Sequence, residues 1–210
     1  MLYLISAKHH EVFAGWLTDM HQLRYRVFKE RLAWHVETVG DQEIDRFDEI
    51  GPAYLLYVDH AGRMRGCVRL IPTTGPYMLR DVFTNLVSPG SLPDDAKIWE
   101  SSRFAVDLAG FEKGDPKVHA SPTQLLFTGM IEFGLAVGLS KIVTVTDTRV
   151  ERLLRRGQWP LVRLGEPQII GSTEAVAGLL EISTAALDRV RKHAGIVHPI
   201  LWKPALENEA

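Results

Sequence analysis

The sequence predicts a single α/β domain, a three-layer α/β/α sandwich with a mixed, twisted sheet flanked by helices. Three observations predict it. Hydrophobic segments run strand–helix, then a hairpin, then strand–helix–strand–helix–strand, and close on a last strand–helix pair. The 210 residues fit one domain and suffice to bury a substantial core. No repeat, low-complexity tract or shift of composition marks a boundary, so the domain is expected to span residues 1–210.

"MLYLIS" reads as an opening strand. From Glu11 to Leu32, Phe13, Trp16, Leu17, Met20, Leu23, Val27 and Phe28 recur near helical spacing, which predicts one long helix or two consecutive ones. Residues 33–52 lack a clean period and hold five acids between Asp41 and Glu49, the signature of a long loop. "AYLLYVD", the turn "HAGR" and "MRGCVRLIPT" form a hairpin. "YMLRDVFTNL" is expected to be a short helix, "KIWESSRFAVD" a strand, and "DLAGFEKGDPKVHASP" a Gly/Pro-rich loop. Ser121-Pro122 opens an apolar helix through Val137, with proline in the first turn. Then come the buried strand "KIVTVTD", the basic helix "RVERLLRRG" and the strands "WPLVRLGE" and "TEAVAGLLEIS". The helix "TAALDRVRKHAG" closes the chain, with glycine at its end.

Hydrophobic residues at 46% and charged ones at 24% describe an ordinary globular chain. The formal net charge of −2 gives no reason to expect nucleic acid or an anionic membrane as partner. The lone Cys67 excludes an internal disulfide and suits a reducing compartment. The N-terminus lacks a basic leader followed by a long apolar run, and no apolar segment approaches about 20 residues, so a cytoplasmic location is expected. The eight histidines form no H-E-x-x-H, and Cys67 has no C-x-x-C partner, so no metal is expected. Phosphate-loop, dinucleotide-binding and nucleophile-elbow motifs are absent from the sequence.

The strand "IWESSRFAVD" is the unusual element. A strand beside a core normally avoids the run Glu100, Ser101, Ser102, Arg103. Regular alternation places Glu100, Ser102 and Phe104 on one face and Ser101, Arg103 and Ala105 on the other. Elsewhere Arg24 and Phe28 are i,i+4 neighbours on a helix, and Asp45 and Asp48 stand three apart around Phe47. Taken alone, the first pair reads as a solvated arginine beside a core ring, and the second equally as a surface acidic loop or as a site.

Together they read otherwise. R-x-x-x-F at Arg24 and Phe28, Trp34, D-x-x-D at Asp45 and Asp48, Arg69 in "GCVRLIPTT", and Glu100 and Arg103 in "WESSRFAVD" occur in this order. This set closely resembles the acyl-homoserine-lactone synthases, makers of bacterial quorum-sensing signals. The resemblance implies a fold similar to that of the GNAT acyltransferases. It also implies two substrates, an acyl thioester, usually on acyl carrier protein, and S-adenosylmethionine (SAM), with no tightly bound cofactor. The SAM amine attacks the thioester, and the methionine carboxylate then displaces methylthioadenosine and closes the lactone.

On this reading Glu100, Arg24, Arg103, Asp45 and Asp48 form the catalytic set. The SAM amine is mostly protonated at neutral pH and needs a base, for which Glu100 is the candidate, its pKa raised by burial. Arg103 can hold the SAM carboxylate bidentately. Phe28, Trp34, Arg69 and Arg103 are the SAM-binding candidates, the rings suiting a sulfonium cation. Asp45 and Asp48 either meet SAM or pair with Arg24 and Arg69 to brace the cleft. Ser101, Phe104, Leu125, Met130, Thr144 and Thr146 are the acyl-chain candidates. A hydroxyl from Thr144 or Thr146 would suit a 3-oxo group, although core packing is the ordinary role of such residues.

Arg149, Arg152, Arg155 and Arg156 on the basic helix, against Glu151 alone, read as a solvated face or as a docking site for acidic acyl carrier protein. Acyl-CoA is the alternative donor. The main rival is a GNAT-type N-acyltransferase using acyl-CoA on another amine. Its usual Q/R-x-x-G-x-G/A pyrophosphate turn has no match between Asp107 and Gln124. A non-catalytic sensing module would have no need of the Glu/Arg strand.

Overall fold

The computed structural model describes residues 1–107, 109, 120–171 and 173–202. Strand β1 (Leu2–Ile5) leads through a 3₁₀ turn to helix α1 (Ala14–Arg24), which continues unbroken as a π-helical stretch, Tyr25–Arg31. A small hairpin follows, β2 (Thr38–Val39) and β3 (Gln42–Glu43), then β4 (Ala53–Val58) and β5 (Met64–Pro72). Helix α2 (Met78–Asp81) precedes β6 (Ile98–Val106), α3 (Pro122–Val137), β7 (Lys141–Asp147) and α4 (Thr148–Arg156). The chain ends with β8 (Val162–Arg163), β9 (Gln168–Ile170), β10 (Thr173–Glu181), α5 (Thr184–Ala194) and β11 (Leu201–Trp202).

Among the described residues nine strands form one sheet in the order β11–β1–β4–β5–β6–β7–β10–β8, with β9 also on β10. The β1–β11 and β6–β7 pairs are parallel and the others antiparallel, so the sheet is mixed as expected. Strand alternation sends Leu55, Val68 and Leu70 to one face, where Leu126, Phe127, Met130 and Ile131 of α3 and Leu187 and Val190 of α5 cover them. It sends Tyr54, Leu56 and Cys67 to the other, beneath Met20, Leu23, Val27 and Phe28. This is the three-layer α/β/α arrangement. Each such side chain contributes roughly 1.5–3 kcal/mol on burial.

Helix α3 begins on a capping box, Ser121 with Gln124, has Pro122 in its first turn, and stops at Gly138 with φ +78°. It lies so close to β1 that a Cβ on Gly129 would stand 2.1 Å from Leu2 Cδ2. Asp147 caps α4 by accepting from the Val150 N–H at 2.7 Å.

Some elements differ from expectation. The loop 33–52 contains the β2–β3 hairpin and a packed turn around Phe47, which is buried. The helix expected over 77–86 divides into α2 and a 3₁₀ turn, Thr84–Leu86. "WPLVRLGE" is strand only at Val162–Arg163, since Gln158 turns at φ +65° and Pro160 has no N–H to offer a ladder. Strands β9 and β11 are additional. The Gly/Pro-rich loop lies largely outside the described residues, which omit 108 and 110–119. Among the described residues no helix is long and apolar enough to cross a membrane.

Candidate active site

The site is built around an irregularity in β6. Its pairing with β5 runs Ile71↔Glu100, Leu70↔Ser101 and Arg69↔Ser102, then resumes at Cys67↔Ala105, so Val68 stands opposite both Arg103 and Phe104. Arg103 takes φ +53° within this bulge, a conformation that costs a non-glycine residue roughly 1–2 kcal/mol. The bulge overturns the simple alternation expected for this strand. Phe104 turns toward α3, its ring 5.5 Å from that of Phe127. Arg103 swings to the side of Glu100 and Ser102, beneath the loop 33–52.

Three arginines and three carboxylates interlock there. Arg24 and Arg69 are fully buried, as is Glu43. Arg24 grips Asp48 with both terminal nitrogens, at 2.7 and 2.8 Å, and donates from Nε to Glu43 at 2.5 Å. Arg69 donates to Asp45 at 2.6 and 3.1 Å, to Asp48 at 2.8 Å, and from Nε to Ser102 Oγ at 3.1 Å. Arg103 donates from Nε to the other oxygen of Glu43 at 2.9 Å, and its NH2 lies 2.6 Å from Asp45. Tyr54 adds an O–H donor to Asp48 at 2.7 Å. Charges cancel, which a buried cluster needs if desolvation is to be offset.

Burial alone would raise the pKa of Asp48, but the hydrogen bonds and charges of Arg24 and Arg69 outweigh it and hold the carboxyl well below its usual range. Asp45 is lowered in the same way, against burial, by Arg69 and then Arg103. Of the two readings of the acids, this geometry favours the brace. Glu43 was not among the candidates, because in a five-acid loop nothing but its arginine partners singles it out.

The expected bidentate hold of Arg103 on a substrate carboxylate meets a guanidinium whose Nε and NH2 are already engaged. Its NH1 lies 3.3 Å from the Met78 thioether, on which Arg69 NH2 also converges at 3.1 Å. A thioether is a weak acceptor, so these two N–H groups are the ones a stronger acceptor can claim.

Glu100 is 1% exposed. Its two oxygens accept from the backbone N–H groups of Met78 and Leu79, at 2.9 and 2.7 Å. Burial pushes its pKa up to about 7, although those N–H groups and the charges of Arg69 and Arg103 pull the other way. It is therefore divided between its two protonation states near neutral pH.

The rings come together as well. Phe28 sits in the π-helical stretch, Ala33 turns the chain at φ +53°, and the Trp34 N–H donates to the Phe28 carbonyl at 2.8 Å. The two rings stack at 5.3 Å and 16°, and the Arg103 guanidinium lies 5.7 Å from the centre of Phe28.

On the opposite sheet face, the β6–β7 pairing ends at Ser101↔Thr144 while both strands continue. A cavity of about 40 Å³, room for a few waters, opens in that gap. Ser101, Phe104, Met130, Thr144 and Thr146 line it, with Phe127, Val150, Leu154 and Leu180. Leu125 is not among its walls, since Phe127, three residues from Met130, holds the inward stripe of α3. The Thr144 hydroxyl donates to the Ser101 carbonyl at 3.0 Å. On α4, Arg149, Arg152, Arg155 and Arg156 are all exposed, while Glu151 turns inward to Arg163 at 2.7 and 2.8 Å.

The family model described as autoinducer synthase matches residues 8–190. The chain is 42% identical over 186 residues to an acyl-homoserine-lactone synthase of Agrobacterium fabrum, covering 89% of this chain and 88% of that protein. Among solved structures it is similar to BjaI, a CoA-dependent acyl-homoserine lactone synthase with SAM and isopentyl-CoA. The TM-score is 0.84 at 25% identity, covering 97% of this chain and 92% of that one. FeeM, an N-acyl amino acid synthase from uncultured soil microbes, shares the fold alone, with a TM-score of 0.53 at 13% identity over 85% of this chain and 94% of that one.

Proposed function

The chain belongs to the autoinducer synthases, acyltransferases that make acyl-homoserine lactones, and we propose that it joins SAM to an acyl thioester carried by acyl carrier protein. The observation that carries this reading is the buried Glu100, with a pKa of about 7, facing a charge-balanced arginine cluster. A base poised near the working pH is what an ammonium substrate requires.

Glu100 takes one proton from the SAM ammonium. The freed amine attacks the thioester carbonyl, the C–S bond breaks, and the departing thiolate takes the amide nitrogen's second proton. The SAM carboxylate then attacks its own γ-carbon, the carbon–sulfonium bond breaks toward sulfur, and neutral methylthioadenosine leaves. Arg103 NH1 and Arg69 NH2 are the donors that would receive the carboxylate, taking the place of the Met78 sulfur. Trp34, which is half-buried, is the ring that would meet the adenosine or sulfonium, with Phe28 stacked behind it. Arg24, Asp45 and Asp48 serve as the brace.

The gap between β6 and β7 takes the acyl chain, with Phe104, Phe127 and Met130 as its apolar walls and Thr144 and Thr146 within it. Four exposed arginines on α4 offer an acidic carrier protein a docking face. Purified protein, SAM and medium-chain acyl carrier protein, followed by mass spectrometry, test the reading. The expected products are methylthioadenosine and an acyl-homoserine lactone. Neither product from acyl carrier protein at any chain length, with product from acyl-CoA, would transfer the assignment to the CoA donor. An acylated amine other than SAM would support the GNAT-type alternative.

A further inference from the structure

We propose that Glu43 is a positioning residue for the reaction, which holds the Arg103 guanidinium in the orientation that presents NH1 to the substrate carboxylate. This rests on the reading that Arg103 meets SAM.

Glu43 is fully buried on the β2–β3 hairpin, and its carboxylate joins two arginines, Arg24 Nε at 2.5 Å and Arg103 Nε at 2.9 Å. The two contacts are unequal in kind. Arg24 is itself immobilised by its bidentate grip on Asp48, so Asp48, Arg24 and Glu43 form a rigid post rooted in α1. The Glu43 backbone is tied to the same helix, with His21 Nδ1 3.0 Å from its carbonyl oxygen. Arg103, by contrast, stands on a strained bulge with φ +53° and has no such bidentate partner, so its guanidinium is held by single contacts to Glu43 and Asp45.

An acceptor on Nε fixes the plane of a guanidinium, and a fixed plane fixes where NH1 points. With Asp45 on NH2, Glu43 leaves NH1 aimed at the Met78 sulfur beside Glu100. A displacement of about 1 Å at such a group costs on the order of 10²-fold in rate. Arg24, expected to be catalytic, then acts on substrate through other residues, on Arg103 by way of Glu43 and on Arg69 by way of Asp48.

Four enzymes test this in a double-mutant cycle: wild type, Glu43→Gln, Arg103→Lys and the double variant. Glu43→Gln is expected to lower kcat/KM for SAM by about 10–100-fold, with KM for the acyl donor within about twofold. Arg103→Lys is expected to lower it at least as far. The double variant is expected to be no worse than Arg103→Lys alone, because the two residues act as one. Multiplying losses in the double variant would overturn the proposal. So would equal rises in both KM values with a lower melting temperature, the mark of a merely structural residue. Normal SAM kinetics in Arg103→Lys would defeat the parent reading of Arg103, whereas a loss there with normal kinetics in Glu43→Gln would defeat the proposal alone. Should Glu43→Gln not fold, Glu43→Asp, which keeps the charge and shortens the reach, carries the same comparison with the same two outcomes.

Discussion

Glu100 and Arg103 project from the same side of β6, three residues apart, because the left-handed backbone at Arg103 reverses the alternation of the strand. The Met78 residue joins them, with its backbone N–H on Glu100 and its sulfur 3.3 Å from Arg103 NH1. A base candidate and a carboxylate-binding candidate thus share one small region, supported from behind by the ion-pair cluster.

The cluster makes a stability prediction. Arg69→Met leaves Asp45 and Asp48 buried with less compensation, and removing one partner of such a set costs about 3–5 kcal/mol. Urea denaturation followed by circular dichroism is expected to show a lower midpoint with an unchanged slope. A midpoint within experimental error of wild type would mean that the acids find other partners.

Glu100 predicts a pH dependence of stability. Its folded pKa of about 7 lies above the ordinary value of 4.5, so between these pH values the folded state holds more protons than the unfolded one. Its contribution to stability therefore declines as pH rises from 4.5 through 7, by a total of about 3 kcal/mol. Glu100→Gln removes this decline. Melting temperatures at pH 5 and pH 8 are expected to differ more in wild type than in the variant, and equal differences would contradict a raised pKa.

Phe127 predicts acyl-chain selectivity. Its ring is wedged between Phe104 at 5.5 Å and Trp159 at 5.9 Å, and a Cβ on Gly157 would touch it at 3.3 Å. It therefore forms a fixed wall of the cavity. Phe127→Ala is expected to shift the preferred donor toward longer chains, with kcat/KM ratios worth about 1–3 kcal/mol per added methylene. An unchanged preference across a donor series would place the chain elsewhere.

The basic helix predicts a partner-specific defect. Reversing Arg152, Arg155 and Arg156 to Glu is expected to raise KM for acyl carrier protein and flatten its salt dependence, leaving KM for SAM nearly unchanged. A parallel loss toward both substrates would point to misfolding.

Much of this was legible in the residues. Periodicity marked α1, the β4–β5 hairpin, β6, α3 and β7, and the order of polar residues along "WESSRFAVD" drew attention to Glu100 and Arg103. What escaped depends on tertiary partners. Nothing in "SSRFA" announces a left-handed arginine, so alternation misplaced Arg103 and Phe104. Glu43 carries no mark among neighbouring acids until Arg24 and Arg103 converge on it. Leu125 and Phe127 are equally apolar, and only which face of α3 meets the sheet selects between them. Strands of two or three residues, such as β9 and β11, are too short for a period and exist because an edge is there to pair with.

The central claim is that Glu100 frees the SAM amine, and the pH profile of amide formation in a single turnover tests it most directly. Wild type is expected to show a limb that rises through about pH 7 as the Glu100 carboxylate forms. Glu100→Gln is expected to react roughly 10²–10⁴-fold more slowly, with the limb moved up to the titration of the SAM amine itself, at about pH 8. A variant that keeps both the rate and the limb would contradict the account.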